Sequence, residues 1–255
     1  MENIVGTTSK LQCQHCCDAD QLSFDFTMAF QPIINCKTRR IFGYEALVRG
    51  LHNESAHSIL TNVAAHNRYA FDQQCRVKAI RLAAQLGLKT MLSINFLPNA
   101  IYQPERCIHT TLATARQCDF PIEQIMFEFT EVEKFNNTDH IKNITKYYQS
   151  LGFKTATDDF GSGNSGLNLL AEFQPDIVKI DMDLIRDIHI HPTRQIIVTH
   201  CLAMFDDLNI TALAEGVESN EEFRWLQDAG IELMQGYLFA KPGFEHLPSV
   251  DFSAL

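Results

Sequence analysis

The sequence predicts an α/β fold, a modified TIM (β/α)8 barrel with an antiparallel first strand. Three observations predict it. Eight short apolar, β-rich runs follow one another along the chain, and from the second onward each gap is long enough for a crossover helix, which implies parallel neighbours. The first two runs are joined only by Asn35 to Arg40, as in an antiparallel hairpin. The length of 255 residues suits one large barrel.

Residues 1–22 show no apolar period and read as an N-terminal arm; residues 23–255 form the barrel. The predicted strands are Met28 to Ile34, Ile41 to Val48, Met91 to Phe96, Ile125 to Phe129, Thr155 to Asp158, Ile177 to Ile180, Ile210 to Ala214 and Leu233 to Tyr237. Ala70 to Leu86 is rich in helix formers and ends at Gly87, a C′ residue. Thr193 to Leu208 has a similar helical length. Ser219 to Gly230 opens with Ser219 and Glu222 at capping-box spacing, so Glu221 and Glu222 read as helix-start residues.

The composition sets outer bounds. At 45% hydrophobic and 20% charged, the chain has the make-up of a globular protein with a core. It carries no uninterrupted apolar stretch of membrane-spanning length, and Met1 to Lys10 lacks a signal-peptide core. A cytoplasmic protein without a membrane partner is expected. The formal net charge of −10 argues against a nucleic-acid polymer as partner. It leaves room for a small anionic ligand if metal cations lie between it and the acidic residues. Of eight cysteines, only Cys13, Cys16 and Cys17 cluster. Without a second ligand pair they read as reduced thiols rather than a zinc site.

Seven of the eight runs carry a carboxylate, amide or lysine near the C-terminal end: Glu45, Asn95, Glu128, Asp158 with Asp159, Lys179, Glu215 and Gln235. In a barrel of parallel strands those ends converge on one mouth. So many carboxylates together would repel or take up protons unless cations intervene. Oxygen donors without clustered His or Cys suit Mg²⁺ or Mn²⁺. The Asp158-Asp159 pair suggests a bridge between two metals, a device for phosphodiester hydrolysis. Glu45, Leu47 and Arg49 alternate onto one strand face, which places Arg49 ~13 Å beyond Glu45. Gln31, on the first strand, is a candidate contact to a base. Phe239 is a candidate for stacking on a base or for the core.

These residues meet a known pattern. The chain resembles the EAL family of bacterial cyclic-di-GMP phosphodiesterases. The motif that names the family stands as Glu45-Ala46-Leu47, followed by Val48-Arg49. The family's other blocks follow in order: Ser93-Ile94-Asn95-Phe96, Glu128-Phe129-Thr130-Glu131, Asp158-Asp159-Phe160-Gly161, Lys179-Ile180-Asp181, Glu215-Gly216-Val217-Glu218 and Gln235-Gly236-Tyr237. The match runs from about Phe24 to Pro242. The resemblance implies two Mg²⁺ or Mn²⁺ ions, with Ca²⁺ expected to inhibit. Glu45, Asn95, Glu128 and Asp158 would hold the first, Asp158 and Asp159 the second. Lys179 and Glu215 would hold or deprotonate the nucleophilic water, Glu215 as general base. Arg49, Gln31, Gln235 and Glu218 would serve the substrate, with Gln235 also orienting the second-metal site. Glu131 would steady the loop after Asp159. The implied reaction is hydrolysis of cyclic-di-GMP to linear pGpG, and the implied assembly is a homodimer formed near that loop. The family commonly has an aromatic residue near Asn164; this chain does not.

Singly, each residue has a plainer reading. Glu45 could pair with Arg49, and Lys179 with Asp181. Gly161-Ser162-Gly163-Asn164-Ser165-Gly166 is also a literal dinucleotide-binding pattern, with Asp181 twenty residues on, as in an NAD-dependent oxidoreductase. Three features oppose that rival. Asp158 and Asp159 would repel a pyrophosphate, the unit comes fifth of eight strands, and the hairpin start favours a barrel. A third reading is a non-catalytic cyclic-di-GMP receptor or protein-interaction module. Every metal and base position of the family is filled here, which favours the enzyme.

Overall fold

The computed structural model describes residues 22–98, 101, 103–130, 138–162 and 166–255. Cys13, Cys16, Cys17, Glu131 and Asn164 lie outside these. β1 (Thr27–Asn35) and β2 (Arg40–Arg49) form the expected antiparallel hairpin, with Gln31 paired across from Glu45. β3 (Met91–Asn95), β4 (Ile125–Thr130), β5 (Lys154–Phe160), β6 (Ile177–Ile180), β7 (Thr211–Ala214) and β8 (Leu233–Met234) follow β2 in parallel order. β8 pairs antiparallel with β1, and this closes the barrel. The eighth strand is shorter than the sequence suggests. A two-residue strand β9 (Gly243–Phe244), which the apolar runs do not reveal, pairs with β1 at Ala29 and Phe30 instead.

The helices lie outside. In chain order they are α1 (Ala56–Leu60), α2 (Arg68–Gln85), α3 (Pro104–Cys107), α4 (His109–Gln117) and α5 (Thr138–Ser150), then α6 (Gly166–Glu172), α7 (Met182–Ile185), α8 (Pro192–Asp207) and α9 (Asn220–Asp228). α2 and α8 fall on the predicted segments, and Gly87 after α2 has the left-handed φ of +72° that a C′ residue needs. α9 carries the predicted capping box: the Ser219 hydroxyl accepts from Glu222 N, and the Glu222 carboxylate accepts from Ser219 N.

Alternation along the strands divides the apolar side chains into two sets. The outward set packs the sheet onto the helices, as where Phe127 and Phe129 meet Phe96, Tyr148, Phe153 and Phe173. The inward set is a floor made of Ile33, Met126, Ala156, Ile177, Leu213 and Leu233. Two residues beyond each floor position stands a polar residue: Gln31, Glu128, Asp158, Lys179, Glu215 and Gln235. β1 runs the other way, so its polar residue precedes Ile33. A period of two thus stacks a polar layer on a sealed apolar one.

Closure leaves little room beside Gln235. A methyl at Gly236 would sit 2.0 Å from the Val217 carbonyl oxygen and 2.4 Å from its nitrogen. Gly230, with φ +94°, has open space around it. Gly236→Ala should therefore cost about 3 kcal/mol of unfolding free energy from overpacking. Gly230→Ala should cost about 1 kcal/mol, from backbone conformation alone. Urea denaturation of both variants checks the difference.

Candidate active site

Lys179 is the centre of the mouth. Its side chain is fully buried on β6, and its ammonium lies 2.9 Å from Glu128 Oε2, 3.0 Å from Asp158 Oδ1, 2.8 Å from Glu215 Oε1 and 3.6 Å from Glu45 Oε2. Two amides complete the ring. Asn95 Nδ2 donates to Glu45 Oε1 at 2.9 Å, and Gln235 Nε2 donates to Glu45 Oε2 at 2.8 Å and to Gln31 Oε1 at 3.3 Å. Residues on or directly after all eight barrel strands contribute to one cluster, which is why none of the pairings can be read from local sequence.

The two plain pairings do not occur. Glu45 is bound by Asn95, Gln235 and Lys179, whereas the Arg49 guanidinium donates to the Val48 carbonyl. Asp181 accepts from Asp183 N and caps α7. Arg49 stands at the mouth end of β2, apart from the carboxylate cluster. Phe239 is a core residue, packed edge-on to Phe223 at 5.9 Å.

Adjacent residues on a regular strand face opposite ways, yet Asp158 and Asp159 both reach the site. The ladder between β5 and β6 slips between Thr157 and Phe160, and Asp159 adopts φ +57°. This irregularity swings Asp159 to the same side as Asp158. Carboxylate oxygens of Asp158, Asp159 and Glu215 come within 4.8 Å of one another, a grouping able to hold a cation. The sequence reads Glu215 as a base; the geometry also places it beside Asp158 and Asp159.

A cavity of about 250 Å³ opens on this cluster between Gln31, Asp159, Met182, Glu218 and Tyr237. A larger one, about 840 Å³, lies at the opposite end of the barrel near Asn35, Met91 and Asp176, away from the titratable cluster. The mouth is the chemical site because the buried ionisable groups are there. Glu218 lines its rim and forms a two-point pair with Arg186, whose Nη2 lies 3.0 Å from Glu218 Oε1. Met182 and Tyr237 line the rim and Arg186 pairs with Glu218; sequence reasoning did not single out any of them. Tyr237 follows Gln235-Gly236 in a matched block, which is a usable sequence signal; Met182 and Arg186 carry none.

Burial dominates the titration of this cluster. It pushes the Glu128 carboxyl up to about 8, against the pull of Lys179 and with help from Glu45 and Asp158. It raises Asp159 to about 6, with Asp158 and Asp181 adding to the effect. Glu215 is raised well above the ordinary range, again by burial first, although its side chain keeps 18% exposure. For Lys179, burial acts downward, and the surrounding carboxylates more than reverse it.

The donors fit a hard divalent cation. They are carboxylate oxygens with one amide, and among the described residues Glu128 Oε1 and Gln235 Oε1 are buried acceptors without a hydrogen-bond partner. Asn95 donates through Nδ2 to Glu45, so its side-chain oxygen is the atom that could face a cation.

The comparisons with known proteins agree with this site. The EAL domain family matches residues 19–242. The chain belongs to the EAL family. The blue light- and temperature-regulated antirepressor BluF of Escherichia coli K12 is 35% identical over 226 residues, 87% of this chain and 55% of BluF. The cyclic di-GMP phosphodiesterase PdeR of the same organism is 35% identical over 65% of this chain and 24% of PdeR. This EAL chain therefore spans about half the first relative and less of the second. Among solved structures, a standalone versatile EAL protein from Vibrio cholerae O395, in its c-di-GMP-bound form, superposes with a TM-score of 0.89. It is 68% identical, covering 91% of this chain and 99% of that one. Klebsiella pneumoniae BlrP1 in a manganese/cyclic-diGMP complex gives 0.82 at 38% identity, covering 88% of this chain and 58% of BlrP1. Among the described residues, no helix is long and apolar enough to cross a membrane.

The raised carboxyls set a pH dependence. Glu128 titrates near 4.5 when unfolded and near 8 when folded, so the folded protein holds more protons in between. Stability therefore falls as pH rises through that window. Without metal, the melting temperature should drop between pH 5 and pH 8, and Glu128→Gln should flatten the slope. Mn²⁺ should bind more tightly at pH 8 than at pH 6, because binding releases those protons. Thermal melts and titration calorimetry across this range check both statements.

Proposed function

We propose that the chain is a phosphodiesterase that hydrolyses cyclic-di-GMP to linear pGpG with two divalent cations, Mg²⁺ or Mn²⁺. The observation that carries it is the ring of Glu45, Glu128, Asp158 and Glu215 around the buried Lys179, with Asn95 on Glu45 and Asp159 beside Asp158 and Glu215. Relatives named as phosphodiesterases and solved neighbours bound to this ligand support the substrate. Glu45, Asn95, Glu128 and Asp158 would hold the first cation, and Asp158 with Asp159 the second. Cations so placed lower the pKa of a water and offset charge on the phosphoryl group. Glu215 accepts the proton of the attacking water, a role suited to a carboxyl whose pKa is raised. Lys179 fixes the Glu215 oxygen that faces it and offsets part of the cluster's charge. Arg49 binds the phosphate farther from the cleaved bond, as guanidinium groups do. Gln31 and Glu218 line the cavity for a base. Gln235 orients Glu45. Glu131 steadies the loop after Asp159.

The protein is expected to act in the cytoplasm, as a homodimer. Leu167 and Ile190, both 63% exposed, offer apolar surface on the segments that follow Asp159 and Lys179. Sedimentation velocity checks the dimer.

One observation favours a second reading. BluF, an antirepressor by name, shares 35% identity with this chain, so a protein-directed role as a receptor has a precedent among its relatives.

Purified protein with Mg²⁺ or Mn²⁺ should convert cyclic-di-GMP to pGpG, read by chromatography of the products. Ca²⁺ should support binding with little turnover, since its looser coordination misplaces the water. Tight binding with no turnover in any metal favours the receptor. Glu215→Gln should lower kcat on the order of 10²–10⁴-fold and leave binding of the cyclic dinucleotide in Ca²⁺ near wild type. A wild-type rate in that variant removes Glu215 from the chemistry.

A further inference from the structure

Asp72 and Arg76 form a buried ion pair on α2, far along the sequence from every motif above. Their side chains are 1% and 0% exposed, and Arg76 Nη2 lies 2.5 Å from Asp72 Oδ2. Such a pair adds little stability over apolar residues of similar size, because desolvation offsets the attraction. The other oxygen shows a more directional use. Asp72 Oδ1 accepts from the backbone N–H of Leu97 at 2.9 Å.

Leu97 lies two residues past the end of β3, where the ladder to β4 stops. Phe96 N still donates to the Glu128 carbonyl at 2.9 Å. Leu97 N finds its acceptor on the helix, in Asp72. The two amides that follow Asn95 are thus pinned in succession, one to β4 and one to α2. Arg76 holds the Asp72 carboxylate in place from the other side, through Nη2 and through Nε to the Asp72 carbonyl at 3.4 Å. With the backbone beyond it fixed, Asn95 keeps its Nδ2 on Glu45 and its oxygen available to the site.

We propose that Asp72 is a positioning residue of the active site, fixing Asn95 through the Leu97 amide, with Arg76 as its anchor. The proposal rests on the reading of Asn95 as a metal ligand only for its functional consequence; the positioning stands independently of it.

Two double variants separate the acceptor from the ion pair. Asp72→Ala with Arg76→Met removes both without stranding a buried charge. Asp72→Asn with Arg76→Met restores only the acceptor for Leu97 N. In metal-free protein labelled with ¹⁵N-asparagine, the Asn95 side-chain amide signals (assigned by their loss in Asn95→Ser) should shift in the alanine variant. They should stay near wild type in the asparagine variant. Leu97 amide exchange should accelerate only in the alanine variant. Mn²⁺ affinity by calorimetry should fall about 10–100-fold in the alanine variant, as for other residues that orient a ligand, and recover in the asparagine variant. Unchanged Asn95 signals in the alanine variant, or equal changes in both, overturn the proposal. If the Asn95 signals respond as expected while even wild-type protein binds no Mn²⁺, the positioning holds and the metal reading of the site fails.

Discussion

A fully buried ammonium ringed by four carboxylates is the constraint around which this barrel is arranged. At the distances found for Lys179, the charges would be prohibitively costly to bury if any one were displaced, since an unpaired buried charge costs several kcal/mol. The strands that carry Glu45, Glu128, Asp158 and Glu215 must therefore end at matching heights around β6. The floor of Ile33, Met126, Ala156, Ile177, Leu213 and Leu233 makes this affordable: it closes the barrel from below and leaves the polar layer to face the mouth.

One lysine does not balance the set. Four carboxylates with a single ammonium leave a residual negative charge, which adds to the burial that raises the titration of Glu128, Glu215 and Asp159. Bound divalent cations would answer the same excess, and protons and metal would compete for the same oxygens. The slip in β5 that places Asp159 beside Asp158 adds to the excess. There the backbone departs from regular pleating and brings a further carboxylate to the site.

The site is further held by groups that touch no ligand. Glu222 accepts from the amides of Glu218, Ser219 and Asp187, and so joins the segment that carries Glu215 and Glu218 to the segment after α7. Asp72 does the same for the end of β3. Both are buried carboxylates on outer helices that accept backbone N–H groups where a strand ladder has run out. Regular strands aim the reacting side chains, and these carboxylates hold the irregular turns that follow.

The sequence by itself determined the barrel, its reversed first strand, the capping box at Ser219 and the residues gathered at the mouth. Each of these rests on short-range periodicity or ordered motifs: alternation by two, helix-start chemistry, a hairpin too short for a crossover. The two-residue β8 and the appearance of β9 were not legible, because they depend on which segment lies beside β1 once the barrel closes. Nor was the partner of each charge. Glu45 could as well have paired with Arg49, and Lys179 with Asp181, on spacing alone. Only closure of the sheet brings residues as distant as Gln31, Glu45 and Gln235 within hydrogen-bond reach, and burial then selects the arrangement in which Lys179 meets four carboxylates at once.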